Sequence, residues 1–176
     1  CGTLFPYTTL FRSPPGFRHL TLERVAFGYT DQAGRTRFDL GPLDWVFKPG
    51  EITLIMGENG SGKSTLLKVI AGLYPPRAGR IQVDGQELIA EDYRGLFAAV
   101  FADFHLFRQL YGIQTIEPER VQALLTMMRL ADRVKLAGHG FDHLALAGGH
   151  RRRLAIIAAL LEDRPIYLFD EWAADQ

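Results

Sequence analysis

One short glycine-rich segment constrains this chain more than any other feature. Residues 57–65 read Gly-Glu-Asn-Gly-Ser-Gly-Lys-Ser-Thr. The apolar run of residues 51–56 precedes them and predicts a strand covered on both faces, whereas residues 63–71 carry apolar side chains at helical spacing. A strand, a glycine loop and a helix in this order are the context that the phosphate-binding motif G-x-x-x-x-G-K-[ST] requires. The alternative, a glycine turn with a surface lysine, is disfavoured because it leaves this flanking order unexplained.

The motif also assigns roles to individual residues. Glycines let successive backbone N–H groups turn inward, and the helix that follows directs its positive dipole end at the phosphates. Lys63 is expected to reach the β- and γ-phosphates of a nucleotide, and Ser64 to ligate Mg²⁺. The predicted phosphate-binding set is Gly57, Asn59, Gly60, Ser61, Gly62, Lys63, Ser64 and Thr65.

A pair of carboxylates forms the second candidate element of the site. Asp170 and Glu171 follow the apolar residues 166–169, which predict a strand. Open α/β sheets place ligand chemistry at the carboxyl ends of strands, so Asp170 is expected to hold a metal ion and Glu171 to deprotonate an attacking water. Taken alone, two carboxylates after a strand also fit a helix N-terminus with favourable dipole pairing. The phosphate-binding motif favours the catalytic interpretation.

The rest of the chain alternates predicted strands with predicted helices and indicates an α/β fold, a P-loop NTPase core with a mostly parallel sheet. Asp84-Gly85 is a strong hairpin signal between two short apolar runs. The predicted strands are residues 19–27, 38–47 (interrupted at Gly41-Pro42), 51–56, 80–83, 86–89, 98–101 and 166–169, and the predicted helices are residues 63–71, 118–130 and a buried helix containing 154–161.

Composition limits the function classes. The chain has 176 residues, 47% of them hydrophobic, with 20 basic and 20 acidic side chains, which predicts one globular domain and disfavours disorder or a basic nucleic-acid-binding surface. Its single cysteine excludes a disulfide framework within the chain. The longest uninterrupted apolar run, residues 154–161, is much shorter than the ~20 residues of a membrane-spanning helix. The chain itself is expected to be soluble, with no nucleic-acid partner.

Three further segments resemble the ABC ATPases. Residues 146–155 read Leu-Ala-Gly-Gly-His-Arg-Arg-Arg-Leu-Ala and resemble the family's signature loop and helix, usually Leu-Ser-Gly-Gly-Gln followed by basic residues. Tyr29 is similar to the aromatic residue that stacks on adenine, and residues 100–104 resemble the Q-loop region. The resemblance spans residues 17–176. It implies an antiparallel β subdomain and a helical subdomain that carries the signature loop.

The resemblance also implies cofactors and partners. ATP and Mg²⁺ would be sandwiched in a head-to-tail dimer with a second nucleotide-binding domain, in which N–H groups of Gly148 and Gly149 contact the γ-phosphate across the interface. Residues 162–176 and 101–107 resemble those of cyclic-peptide exporters, half-transporters that move microcins, lipopeptides or siderophore peptides outward across the inner membrane. A transmembrane domain, which alone would contact the peptide, is then the second partner, and the ATPase lies at the cytoplasmic face. Residues 104–107 are expected to couple the two, although core packing explains these aromatics as well.

Three departures from the family pattern keep other functions open. Ala102 stands at the usual Q-loop glutamine, Ala147 at the signature serine and His150 at the signature glutamine. A lost hydroxyl contact to phosphate would cost about 1.5–3 kcal/mol. His150 is either a pH-sensitive contact or a solvated helix residue, and Arg151 to Arg153 are predicted to form a solvated helix face. A non-hydrolysing, nucleotide-gated binding module is therefore one alternative, and a soluble ABC protein acting on DNA or ribosomes is a weaker one.

The two ends of the chain carry a separate prediction. Residues 1–16 form a segment that is either non-native, because residues 5–13 resemble a translated sequencing adapter, or a linker. Residues 17–176 are expected to form one nucleotide-binding domain that is truncated before the family's switch histidine. The chain is thus expected to be a fragment at both ends, which binds ATP better than it hydrolyses it.

Overall fold

The computed structural model describes residues 16–171, and these fall into two compact units, residues 16–97 and residues 98–171. The predictions for residues 1–15 and for residues 172–176 lie outside the described residues. Both helices and strands are present in the described part, which gives a mixed α/β fold.

The first unit contains a four-stranded antiparallel sheet in the order β2-β1-β3-β4. Its strands are β1 (Leu20–Thr30), β2 (Thr36–Phe47), β3 (Ala78–Val83) and β4 (Gln86–Glu87). The predicted strands at 19–27, 38–47 and 80–83 are confirmed, with β2 continuing past Gly41-Pro42 through a shift in register. Asp84 and Gly85 both have positive φ, +52° and +84°, as a tight hairpin turn requires.

Helix α1 (Lys63–Ile70) follows the glycine-rich segment, as predicted. It buries Leu67, Val69 and Ile70, and Gly72 with φ +71° ends it in the left-handed conformation that favours glycine. A short helix α2 (Ala90–Tyr93) and a 3-10 turn (Arg94–Leu96) come later. The guanidinium of Arg94 donates to the carbonyl of Gly72 at 2.9 and 2.7 Å, which fixes the end of α1.

The prediction of a buried strand at residues 51–56 is wrong for this structure. These residues form no strand, and Ile52, Leu54 and Met56 are between 74% and 91% exposed. A strand is stabilised by hydrogen bonds to neighbouring strands, and none of the strands among residues 16–171 pairs with this segment. The four-stranded antiparallel sheet agrees with the antiparallel β subdomain that the resemblance implies. The other strands of residues 16–171 form only two-stranded sheets, so the mostly parallel sheet stays a prediction.

The second unit is built around two helices. Its elements are β5 (Phe97–Val100), α3 (Pro118–Met127), β6 (Leu136–Ala137), β7 (Gly140–Phe141), α4 (Gly148–Leu161) and β8 (Ile166–Phe169), with β5 beginning at the last residue of the first unit. Strands β5 and β8 are hydrogen-bonded neighbours, as are β6 and β7. The predicted helices and the strands at 98–101 and 166–169 are confirmed.

The core of the second unit explains why these helices form. Fully buried side chains at helical spacing on α3 and α4 pack together: Val121, Leu124, Leu125, Leu154, Ile157 and Leu160. Helix α3 begins with Pro118 in its first turn, where the missing N–H removes no hydrogen bond. Within residues 16–171, no helix combines the length and apolar character needed to cross a bilayer.

Candidate nucleotide-binding site

The phosphate-binding segment leads directly into the first turn of α1. Gly62 precedes the helix with φ +94°, and no side chain of the described residues caps the helix there. The first N–H groups of a helix have no partner within the helix, so an uncapped first turn offers them to an anion. This geometry agrees with the predicted role of the loop.

Lys63 folds back over its own loop. Its Nζ donates to the carbonyls of Gly57 and Glu58, both at 2.8 Å. A Cβ at Gly57 would lie 2.7 Å from Oγ of Ser61, so a side chain there would require the Ser61 hydroxyl to rotate away. The ammonium group is therefore held beside the loop, and a phosphate that enters the loop would replace neutral carbonyl acceptors with an anionic one.

Tyr29 lies near the end of β1 within an aromatic cluster of the same unit. Its ring centroid is 5.0 Å from that of Phe27, 5.8 Å from that of Phe38 and 6.2 Å from that of Tyr74. The ring of Tyr29 remains partly exposed, as a base-stacking residue must be. Sequence analysis identified Tyr29 but not Phe38 or Tyr74. Working out the β1–β2 register would have found Phe38, because it pairs with Tyr29 across the hairpin.

The two carboxylates of the second unit have different surroundings. Asp170 is only 5% exposed, and its backbone N–H donates to the carbonyl of Val100 at 2.9 Å, which ties the end of β8 to β5. Glu171 is exposed and has φ +53°, an uncommon conformation for a residue other than glycine. Its carbonyl accepts a hydrogen bond from Nη1 of Arg152 at 2.6 Å. The metal-binding role of Asp170 and the catalytic role of Glu171 stay predictions, with the first side chain buried and the second exposed.

Gly148 and Gly149 are the first two residues of α4. Ala147 occupies the N-cap position with extended backbone and no side-chain cap, so the first-turn N–H groups have no capping partner in the described residues. The helix is anchored instead by arginines, since Nη1 of Arg153 donates to the carbonyl of Met128 at 2.9 Å. The prediction of a solvated arginine face is thus wrong for Arg152 and Arg153, which are half-buried, whereas Arg151 is exposed.

The residues present fit a magnesium nucleotide. Mg²⁺ prefers oxygen ligands and is usually held by one or two carboxylates together with substrate phosphates. Each unit, taken by itself, carries one candidate oxygen ligand: the Ser64 hydroxyl on α1 in the first and the buried Asp170 carboxylate after β8 in the second. Residues 16–171 contain no group of three or more His, Cys, Asp or Glu side chains that could hold a metal ion.

The comparisons with known proteins define the class. The family model described as ABC transporter matches residues 40–174, which is most of the chain. The chain therefore belongs to the ABC transporter family and comprises sequence of its ATP-binding domain, an ATPase. ATP is accordingly its nucleotide.

Individual relatives refine this assignment. The chain is 46% identical over 164 residues to the ATP-binding protein SyrD of Pseudomonas syringae pv. syringae, which covers 89% of the chain. It is 34% identical to the ATP-dependent lipid A-core flippase of Paraburkholderia xenovorans over 84% of the chain, and 33% identical to the mycobactin import ATP-binding/permease protein IrtB of Mycolicibacterium smegmatis, also over 84%. A solved structure of a bacterial Atm1-family ABC exporter with ATP bound matches with a TM-score of 0.72 and 28% identity over 94% of the chain.

The chain spans less than a third of the length of these proteins. It covers 29% of SyrD, 27% of the flippase, 27% of IrtB and 32% of the Atm1-family exporter chain.

Proposed function

We propose that this chain is the ATP-hydrolysing domain of an ABC transporter that exports a peptide. The observation that carries the proposal is the geometry of the phosphate loop. Lys63 is held at 2.8 Å from two loop carbonyls, and the loop opens into an uncapped helix α1. Together with the family assignment, this geometry supports binding of the ATP triphosphate at residues 57–65.

Four side chains carry the proposed hydrolysis of ATP. Lys63 neutralises charge on the β- and γ-phosphates, and Ser64 and Asp170 are the proposed protein ligands of Mg²⁺, which when bound neutralises charge that develops on the phosphates. Glu171 holds and deprotonates the attacking water. Burial of Asp170 supports a ligand role, because a carboxylate so shielded from water gains most from a cation.

A second copy or a homologous domain is proposed to complete each site. The N–H groups of Gly148 and Gly149, at the uncapped start of α4, would donate to the γ-phosphate of ATP bound by the partner. ATP would then hold a head-to-tail dimer together, and hydrolysis would release it, because the two states of the dimer differ in their contacts to the γ-phosphate.

We propose that the second unit carries the surface that contacts a transmembrane partner at the cytoplasmic face of the membrane. A cavity of about 300 Å³ is lined by residues that include Phe104, Phe107, Tyr111 and Glu162. Phe107 and Tyr111 are exposed with ring centroids 5.5 Å apart, and burial raises the pKa of the Glu162 carboxyl. Exposed aromatics beside a cavity are typical of interaction sites, so we place the membrane domain's contact here.

The relatives and two sequence segments support export of a peptide. The Atm1-family structure is that of an exporter, whereas IrtB is named for import, so the direction is a proposal. The resemblance of residues 101–107 and 162–176 to cyclic-peptide exporters, together with 46% identity to SyrD, favours outward transport of a peptide.

The test is peptide-stimulated ATP hydrolysis by the complete transporter in lipid vesicles. Wild-type protein is expected to hydrolyse Mg-ATP faster when a cyclic peptide is present, and Lys63→Ala to show background turnover. Phe107→Asp is expected to keep basal hydrolysis but to lose the stimulation, with the exposed residue Ile89 as a control position for the same substitution. Stimulation that survives Phe107→Asp would contradict the proposed membrane contact.

One structural observation supports the second candidate, a nucleotide-gated module that does not hydrolyse ATP. The N-cap of α4 is Ala147, without the side-chain oxygen that a serine would provide. This module would gain thermal stability from ATP by mass action while turnover stayed at background. If Ala147→Ser then raised turnover severalfold, the missing hydroxyl would be the reason, and an unchanged rate would exclude a defect at this position.

A further inference from the structure

Phe38 connects the base-stacking aromatic to the phosphate loop. It lies on β2 directly opposite Tyr29 of β1, and the two ring planes are tilted by 43° at a centroid distance of 5.8 Å. Neither the motif nor the resemblance assigns this residue a role. All the residues concerned belong to the first unit.

The ring of Phe38 also lies against Gly62, the last residue before α1. A Cβ built on Gly62 would overlap Cζ of Phe38 and come within 2.9 and 3.4 Å of two other ring atoms. The phenyl ring therefore occupies the space where any side chain at position 62 would lie. Gly62 has φ +94°, so the position requires glycine for its backbone conformation as well.

A loop rich in glycine is costly to order. Gly57, Gly60 and Gly62 have more backbone freedom than other residues, and binding a phosphate must fix all three. A rigid aromatic ring packed on Gly62 removes part of that freedom before the ligand arrives. Preorganisation of this kind raises affinity because it lowers the entropy lost on binding.

We propose that Phe38 is a positioning residue for the triphosphate: its ring holds Gly62 and the start of α1 in the anion-binding conformation and braces Tyr29 on the side of the base. The inference rests on the proposed ATP-binding function. The Phe38 side chain, which contacts no phosphate, is thus expected to tighten binding of the polyphosphate even when base and ribose are absent.

Inorganic triphosphate separates this role from simple base stacking. It carries the charge that the loop recognises but no adenine, so a residue that acts only on the base cannot change its affinity. Titration calorimetry with Mg-ATP and with Mg-triphosphate on the full chain therefore tests the proposal, and Tyr29→Ala is the matched control.

Phe38→Ala is expected to raise the Kd of both Mg-ATP and Mg-triphosphate by about tenfold. Tyr29→Ala is expected to raise the Kd of Mg-ATP and to leave the Kd of Mg-triphosphate unchanged. Phe38→Leu keeps an apolar side chain but fewer atoms against Gly62, and it is expected to weaken both ligands by about threefold. Hydrogen exchange of peptides covering residues 57–62, without ligand, is expected to be faster in both variants.

Other results would overturn the proposal. A Phe38 variant that lowers the affinity for Mg-ATP alone would show that the ring contacts only the base. An unchanged rate of hydrogen exchange at residues 57–62 would show that the ring does not order the loop. If Phe38→Ala does not fold, Phe38→Leu decides, since triphosphate affinity equal to that of the wild type excludes the proposed role. Failure of the wild type to bind either ligand would instead refute the proposed function.

Discussion

Replacing Asp163 by asparagine is expected to destabilise the second unit through Arg120. The Asp163 carboxylate binds the guanidinium of Arg120 with two hydrogen bonds, both 2.6 Å long, and Nη2 of Arg120 also donates to the carbonyl of Leu160 at 2.9 Å. Arg120 belongs to α3, and Asp163 follows the end of α4. The pair therefore fixes the connection that leads from α4 into β8 and to Asp170.

The magnitude follows from burial. The Arg120 side chain is 9% exposed and that of Asp163 is 34% exposed. Removing one partner of a fully buried ion pair costs about 3–5 kcal/mol, and a charge-assisted hydrogen bond contributes about 1.5–3 kcal/mol. Since Asp163 is partly solvated, we expect about 2–3 kcal/mol. The hydrogen bonds raise the pKa of Arg120, so its charge persists at any accessible pH and the loss does not depend on arginine titration.

Asparagine is the right replacement because Asp163 has φ +52°, which asparagine tolerates better than alanine does. Urea unfolding of the full chain measures the loss, and about 2–3 kcal/mol corresponds to a fall in Tm of about 4–12 °C for a protein of this size. The double variant Arg120→Met/Asp163→Asn is the control: it leaves no buried charge and is expected to recover most of the stability. A single variant as stable as the wild type would refute the reasoning, as would a double variant less stable than the single one.

Three further predictions follow from contacts around the site and the hairpin. Glu171→Gln is expected to accumulate an ATP-bound dimer, seen by light scattering with Mg-ATP, and turnover equal to that of the wild type would refute Glu171 as the base. Arg152→Ala is expected to lower kcat severalfold at unchanged KM for ATP, because the Glu171 carbonyl loses its 2.6 Å hydrogen bond. The control Arg151→Ala, at an exposed position, is expected to leave kcat unchanged. Equal effects of the two substitutions would exclude a positioning role for Arg152. Backbone hydrogen bonds, of which that from His19 is the most important, hold the pKa of Asp84 below its ordinary value of 3.8. The ionised carboxylate therefore stabilises the folded state above pH 3.8, and this contribution is lost as the pH falls through the lower pKa of the folded state. The stability difference between wild type and Asp84→Asn is therefore expected to shrink below about pH 4, and a pH-independent difference would contradict this.

Local patterns predicted most of the described elements because each element is specified by its own residues. Apolar spacing on α3 and α4, the proline in the first turn of α3 and the turn at Asp84-Gly85 are all visible within short windows of sequence. The phosphate motif was readable for the same reason, since its glycines, Lys63 and Ser64 are contiguous.

The sheet arrangement could not be predicted in this way. Residues 51–56 have the composition of a buried strand, but whether such a run is covered depends on neighbours far away in sequence. Periodicity shows that a segment can pair and does not show with which strand. Residues 51–56 could pair but have no partner strand among residues 16–171, and Ile52, Leu54 and Met56 are exposed.

The residues that hold the site in place were missed for a related reason. Arg152 and Glu171 are 19 residues apart, Arg120 and Asp163 are 43 apart, and Phe38 on β2 lies against Gly62 at the start of α1. The motif residues meet the ligand, so their identity is dictated by phosphate chemistry and can be recognised in any sequence. The supporting residues meet only backbone or one another, and several side chains can satisfy a carbonyl or cover a glycine. Their choice is a property of this particular chain, so variants at Phe38, Arg152 and Arg120 test the structure, whereas variants at Lys63 test only the motif.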